Sequence, residues 1–342
     1  MTGAAHAVPP TVGQQQLWDG FFARHYGGSR LARRIFASTG VDARHAAVSP
    51  LDEDLSQWGT AARMQRYLIE ALPLGKEAVS AALDAGGVDP ENVGLFAVAS
   101  CTGYVTPGVD IRLACDVGMS STVQRVLVGH MGCYAAIPGL GVVRDFVLSH
   151  RQPAVLLCLE LTSLHVQPPT ADVDQLVAHA LFSDAAAAVV VQPDVTGGLE
   201  VVDVAARTDI GTADHMTWDV TDLGFRMGLS PLVPDVLSGH VRDVVAGLLA
   251  RHGLAAGDVR GWAVHPGGPR ILDVVADRLD LDDGQLVASR NTLRLHGNCS
   301  SSTVLLVLEE LQRVTPLAAG EHALALAFGP GLTLYACLLR AV

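Results

Sequence analysis

Residues 126–141 read Val-Leu-Val-Gly-His-Met-Gly-Cys-Tyr-Ala-Ala-Ile-Pro-Gly-Leu-Gly, and the architecture of the chain can be built outward from them. An apolar segment, Val126 to Val128, runs into Gly129 and Gly132, and a small-residue helical pattern follows Cys133. Strand, tight turn and helix in succession is the connection from which α/β chains are made. This reading puts the Cys133 thiol at the start of a helix, where free N–H groups and the dipole favour a thiolate. The thiolate is the nucleophilic form, so a catalytic cysteine belongs here. A buried core cysteine is the competing reading. Pro138 would remove a backbone hydrogen bond and could bend the helix if it began at Tyr134.

Similar units continue on both sides. Unalternating apolar runs at 93–99, 154–159, 185–191, 199–205, 260–264, 323–328 and 332–339 suit strands covered on both faces. Helical patterns lie between them: 61–72, broken by Pro73; 74–85, stopped by Gly86 and Gly87; 235–252; and 300–314 with a serine-rich start. Each half ends on an Ala/Val/Leu-rich strand pair, 185–191 with 199–205 and 323–328 with 332–339. The chain therefore reads as two similar halves, 1–195 and 196–342, divided at the Pro-Asp-Val-Thr-Gly-Gly turn.

The 342 residues are 49% hydrophobic, enough for a large core, and only 17% charged. A net charge of −12 argues against nucleic-acid or anionic-membrane binding, and an anionic substrate would need a local cationic patch. The N-terminus has no basic segment followed by an apolar one, and the stretch 154–164 contains Glu160 and is too short to span a bilayer. The expectation is a cytoplasmic protein without a membrane segment. The six cysteines show no C-x-x-C spacing, which disfavours zinc or a redox dithiol.

Two further residues sit at loop–helix junctions. His265 ends an apolar run and precedes Pro-Gly-Gly-Pro. A side chain there faces the crevice where α/β sites form, and a neutral imidazole can pair with a thiolate or donate to an oxyanion. Asn298 precedes Cys-Ser-Ser-Ser at the next helix start, where an ordinary capping turn is the competing reading. Cys, His and Asn in this order, each at a junction, say more together than singly.

With these stretches in hand the chain resembles the type III polyketide synthases, the family of chalcone synthase and its bacterial relatives. The matching segments are Met-Gly-Cys-Tyr-Ala at 131–135, His-Pro-Gly-Gly-Pro at 265–269, Gly-Asn-x-Ser-Ser at 297–301 and Phe-Gly-Pro-Gly-Leu-Thr at 328–333. The resemblance runs from about Ala7 to the end. It implies a thiolase-like α/β fold, with two βαβαβαββ halves forming a five-layered αβαβα core. It implies that Cys133 carries the acyl group while His265 and Asn298 stabilise the enolate formed when a malonyl thioester loses CO₂. It implies acyl-CoA and malonyl-CoA as substrates, no cofactor, and a homodimer with the segment near Thr106 at its interface.

The same resemblance assigns Phe182 and Phe225 to a gate between the CoA tunnel and the cavity, and Glu160 to a buried hydrogen-bonding role. It puts Cys101, Thr102, His165, Gly268 and Ser300 around the pocket, with simple wall packing the competing reading for Cys101 and His165. Thr39 stands where a CoA-binding lysine is expected, so Arg33, Arg34 and Arg44 become candidates for the phosphates. Phe-Ser-Asp-Ala at 182–185 replaces the usual Phe-Gly-Asp-Gly, and Thr106 replaces a methionine of the plant enzymes. Ala-His-Ala-Val-Pro-Pro resembles the end of the family's first strand, which would then begin at or before Met1. A ketoacyl-synthase-III-like single condensation shares the trio, though the Pro-Gly-Gly-Pro and Gly-Pro-Gly turns argue against it. A catalytically silent thiolase-fold partner is the third reading. The starter stays open between a long-chain acyl group, giving alkylpyrones or alkylresorcinols, and malonyl-CoA alone, giving small aromatics; the Ala/Val-rich sequence with small cavity candidates leans to the long-chain acyl group.

Overall fold

A five-stranded sheet organises the first half of the computed structural model, which describes residues 1–342 apart from Val195. Its strands are β1 (Gly3–Ala7), β2 (Leu95–Ser100), β3 (Gln124–Gly129), β4 (Ala154–Glu160) and β5 (Ala185–Val191), in the order β1-β5-β4-β2-β3. β2 runs parallel to β3 and β4, whereas β5 is antiparallel to β4 and β1. Every residue of β2, β4 and β5 is buried, which explains their unbroken apolar composition.

The second sheet joins β6 (Leu199–Thr208), β9 (Val259–Val264), β10 (His322–Gly329) and β11 (Thr333–Ala341) in the order β9-β10-β11-β6. Between β6 and β9 a hairpin of β7 (Met216–Thr221) and β8 (Gly224–Leu229) stands apart. Strand for strand, β1, β5, β4 and β2 correspond to β6, β11, β10 and β9. Among the described residues β3 has no counterpart, so the halves are less alike than the expected βαβαβαββ pair. The run at 199–205 does not pair with 185–191; it opens the second sheet against β11. The boundary residue Val195 lies outside the described residues.

Alternation along the strands builds five layers. Ala97, Ala99, Leu156 and Cys158 of one sheet, with Ala323, Ala325 and Ala327 of the other, face a central layer. That layer holds α3 (Ala136–His150) and α8 (Thr303–Val314). Phe96, Val98, Val155 and Leu157 face outward onto α1 (Thr60–Gly86) and α2 (Val109–Val117). Leu324, Leu326 and Phe328 face the opposite outer layer, α5 (Val241–Ala250) and α6 (Pro269–Leu279). Small residues let the central helices approach closely: a Cβ on Gly139 of α3 would lie 2.8 Å from Leu156 Cδ1.

Three helix boundaries depart from expectation. α1 passes through Pro73 without breaking. Pro73 lies on the exposed face, so water can take the carbonyl it leaves unbonded, while Tyr67, Ala71, Leu74 and Ala78 clamp the buried face on both sides. The pattern at 235–252 is split by Gly239 into a short helix, Val233–Ser238, and α5. The helix after Cys133 begins at Ala136, which puts Pro138 in its first turn, where an N–H has no intrahelical partner anyway. α4 (Val173–Leu181) and α7 (Val287–His296) complete the surroundings of the site.

Candidate active site

Cys133 sits in a 3₁₀ turn, Gly132–Tyr134, between β3 and α3. The turn requires Gly132: its φ is +70°, and a Cβ there would meet Pro330 Cδ at 2.7 Å. Gly329 closes the other side, since its Cβ would approach Tyr134 at 2.8 Å and Cys133 N at 3.3 Å. The thiol is buried, and burial pushes its pKa up to about 12. The Ser300 hydroxyl and the Asn298 amide favour the thiolate but do not outweigh desolvation. Helix α3 starts three residues after Cys133, so the 3₁₀ turn rather than the helix start holds the thiol.

Asn298 reaches this sulfur because Gly297 and Asn298 are locked onto the end of α4. Asn298 N–H donates to Leu181 O, and Ser183 N–H donates to Asn298 O, both at 2.9 Å. The Asn298 side-chain oxygen accepts from Ser300 N–H at 2.9 Å and from the Thr303 hydroxyl at 3.5 Å. With Oδ1 occupied, Nδ2 is left as the donor facing the sulfur. Ser300 is held at φ +50°, a conformation that a non-glycine residue keeps only when its surroundings impose it.

His265 follows the last residue of β9, and its N–H donates to Leu326 O at 2.8 Å. The ring is 1% exposed, yet neither Nδ1 nor Nε2 has a hydrogen-bond partner. Burial lowers its pKa to about 3, so the ring is neutral. The His265 loop meets the Asn298 loop at α4: a Cβ on Gly268 would lie 3.6 Å from Leu181, whose carbonyl holds Asn298.

Beside the thiol lies a dense polar wall. Glu160, fully buried at the end of β4, accepts from Cys101 N–H at 3.0 Å, the Thr102 hydroxyl at 2.8 Å and the Ser301 hydroxyl at 2.5 Å. Cys101 Sγ lies 3.5 Å from both Glu160 oxygens and from the Ser300 hydroxyl. Burial raises the pKa of Glu160 and raises that of Cys101 well above a thiol's usual value.

The two phenylalanines belong to one aromatic group. Phe225 stacks on His165 at 4.5 Å between centroids and 11° between planes. His165 accepts from Phe225 N–H through Nδ1 at 3.0 Å and donates from Nε2 to Thr102 O at 2.7 Å, which fixes its tautomer. Trp218, on β7, packs edge-on to both rings, lies 6.4 Å from Phe182 and donates to Cys101 O at 2.8 Å. Sequence reading missed Trp218, because a lone tryptophan in a short alternating strand carries no spacing signal. Arg44 is not at the surface: its guanidinium donates to the carbonyls of His179 and Phe182 from behind. Thr39 is buried, while Arg33 and Arg34 are exposed on the helix Arg30–Ser38.

Comparison with known proteins identifies the family. Residues 52–195 match the family profile of chalcone and stilbene synthases, N-terminal domain, and residues 202–342 match the corresponding C-terminal domain. The chain is 38% identical over 318 residues to the 1,3,6,8-tetrahydroxynaphthalene synthase of Streptomyces peucetius subsp. caesius, covering 91% of this chain and 83% of that one. It is 31% identical over 313 residues to the alpha-pyrone synthesis polyketide synthase-like Pks18 of Mycobacterium tuberculosis, covering 88% and 79%. Among solved structures, the tetrahydroxynaphthalene synthase of Streptomyces coelicolor superposes with a TM-score of 0.93 at 28% identity, over 99% of this chain and 98% of that one. Buried thiol, unpartnered imidazole, oriented carboxamide and a match along both halves lead to one statement: the chain belongs to the chalcone and stilbene synthase family and is a type III polyketide synthase.

Proposed function

We propose that Cys133, His265 and Asn298 carry out decarboxylative condensation of CoA thioesters, with malonyl-CoA as the extender. His265 takes the Cys133 proton as sulfur attacks the starter thioester, and returns it to the departing CoA thiolate. Malonyl thioester then loses CO₂, and the C–C bonding electrons move onto the thioester oxygen. One N–H of neutral His265 and Nδ2 of Asn298 donate to that oxygen. The resulting carbanion attacks the Cys133 thioester, forming the new C–C bond and releasing the sulfur. The observation that supports this best is the pair of empty His265 nitrogens: a buried imidazole with no protein partner is a site reserved for a ligand.

The starter is proposed to be small, with malonyl-CoA itself the leading candidate and a polyhydroxylated aromatic the product. Trp218, Phe225 and His165 pack together beside Cys101, and three bulky rings there favour a short starter over a long alkyl chain. The similarity to Pks18 favours the second reading, a longer acyl starter and a pyrone product. Arg30, Arg33 and Arg34, exposed together on one helix, are proposed to meet the CoA phosphates. Among the described residues β3 is an edge strand that pairs only with β2, and it exposes Leu127, which supports a homodimer joined along this edge. No helix among the described residues is long and apolar enough to cross a membrane, and the six cysteines are free, as suits the proposed cytoplasmic setting.

The test is incubation with malonyl-CoA and a graded acyl-CoA series, with product masses read out. Wild type should give products that Cys133→Ala does not. Equal yields from the two would end the assignment. Trp218→Ala should extend activity to longer starters; if wild type already uses long-chain acyl-CoAs best, the small-starter reading fails.

A further inference from the structure

Four hydroxyl residues in a row, Ser300-Ser301-Ser302-Thr303, follow the Asn298 turn, and all four are buried. The Ser301 hydroxyl donates to Glu160 at 2.5 Å, and the Ser302 hydroxyl reaches Cys158 O at 2.9 Å and Ala185 O at 3.1 Å. These bonds anchor the start of α8 to β4 and β5. On the other side the Asn298 backbone is anchored at the end of α4 through Leu181 O and Ser183 N–H. Only Cys299 and Ser300 lie between the two anchors, and Ser300 is held at φ +50°. A serine is uncomfortable in left-handed backbone, so such a turn relaxes unless something holds it.

Thr303 is placed to hold it. It is fully buried at the first position of α8, and both its N–H and its hydroxyl meet Ser300 O, the hydroxyl at 2.8 Å. Thr303 Oγ1 also lies 3.5 Å from Asn298 Oδ1, but a threonine hydroxyl has one proton to give and the shorter contact takes it. An ordinary helix cap accepts from an N–H of the first turn; this hydroxyl donates backwards into the turn instead. With its carbonyl fixed, Ser300 keeps its N–H on Asn298 Oδ1 at 2.9 Å. That bond decides which way the carboxamide faces. An N–H can only donate, so it selects Oδ1 and leaves Nδ2 toward Cys133. A half-turn of the amide would put an acceptor where sulfur and enolate oxygen need a donor.

We propose that Thr303 is a positioning residue for Asn298: its hydroxyl holds the Ser300 turn in the left-handed form that sets the carboxamide with Nδ2 toward Cys133. This role rests on the reading of Asn298 as a donor to the sulfur and to the enolate oxygen.

Two readouts test it together: turnover of malonyl-CoA, and alkylation of Cys133 by iodoacetamide with no substrate present. Thr303→Val replaces the hydroxyl with a methyl of similar size. It should lower kcat roughly 10–100-fold with KM nearly unchanged, and Thr303→Ser, which keeps the donor, should restore most of the rate. At mildly alkaline pH, Thr303→Val should also slow alkylation of Cys133 by about threefold or more, because the amide no longer favours the thiolate. Ser300→Gly supplies a residue that adopts φ +50° unaided. In that background, itself slower for want of the Ser300 hydroxyl, adding Thr303→Val should cost less than about threefold. Asn298→Ala is measured alongside. If Asn298→Ala forms product at the wild-type rate, the reading of Asn298 fails and the proposal falls with it. If Asn298→Ala is impaired while Thr303→Val matches wild type in turnover and alkylation, the proposal alone is overturned. An equal loss from Thr303→Val in the Ser300→Gly background also overturns it, because the hydroxyl then acts elsewhere than on the turn. Should Thr303→Val not fold, Thr303→Ala removes the same hydroxyl: a rate about tenfold or more below that of Thr303→Ser supports the role, and equal rates overturn it.

Discussion

The wall that carries Cys133 and the wall that carries His265 differ in how fully their polar groups are occupied. Around Cys133, Glu160 binds Cys101, Thr102 and Ser301, and Asn298 is pinned by Ser300 and Thr303. Around His265 the ring has no polar contact at all. The first arrangement fixes geometry; the second leaves two ring nitrogens without a protein partner, which the proposed mechanism assigns to a thiol proton and a thioester oxygen. The contrast separates residues that hold the site in shape from the residue proposed to do chemistry there.

His265→Gln tests that separation most sharply. It should lower kcat by roughly 10²–10³-fold, about 3–4 kcal/mol in the barrier, with little change in melting temperature because no protein hydrogen bond is lost. A large loss of stability with intact turnover would break the comparison. Glu160→Ala should do the reverse first: it strands the Thr102 and Ser301 hydroxyls and the Cys101 N–H in a dry wall. Chemical denaturation should show it destabilised by about 2–4 kcal/mol. Gly132→Ala forces a side chain into φ +70° and against Pro330, and should cost about 1–3 kcal/mol while displacing the thiol. A fully active, equally stable variant would show that the turn tolerates a Cβ.

The smallest effect is in pH dependence. Burial depresses the His265 pKa to about 3, below the ordinary histidine value near 6.5. Its contribution to stability is therefore fully present above pH 6.5 and is lost as pH falls toward 3, because the unfolded chain binds the proton first. His165 and His179, also near 3, and His45, near 4, act in the same direction. Glu160 and Asp184, with raised pKa values, act oppositely: their favourable contribution is present below about pH 4 and fades as pH rises. Comparing wild type with His265→Gln cancels the other groups. The variant's stability should fall less steeply between pH 5.5 and 4, by up to about 1.4 kcal/mol per pH unit. Parallel curves would mean that the ring is charged, or solvated, in the folded protein.

Much of the architecture was legible because buried strands leave unbroken apolar runs. Seven of the strands in the two large sheets lie where runs such as 154–159 and 185–191 put them, with ends shifted by at most three residues. Which sheet a strand joins was not legible: the run at 199–205 looks like a partner for 185–191 and pairs instead with β11, 125 residues or more away in the chain. Pro73 misled because local propensity says break, whereas packing on both sides of an exposed proline carries the helix through. Arg44 misled because charge alone suggests a surface role.

By itself, the sequence determined that strands and helices alternate, that Cys133, His265 and Asn298 stand at turns, and that their flanking motifs resemble one family. These are local properties, written in spacing and in which residues a turn can accept. Only the tertiary structure decided the burial of Cys133, the lack of a protein partner for the His265 ring, the burial of Arg44 and the place of Trp218 beside Cys101. Each of these depends on desolvation and on partners far off in the chain, and neither is carried by neighbours in sequence.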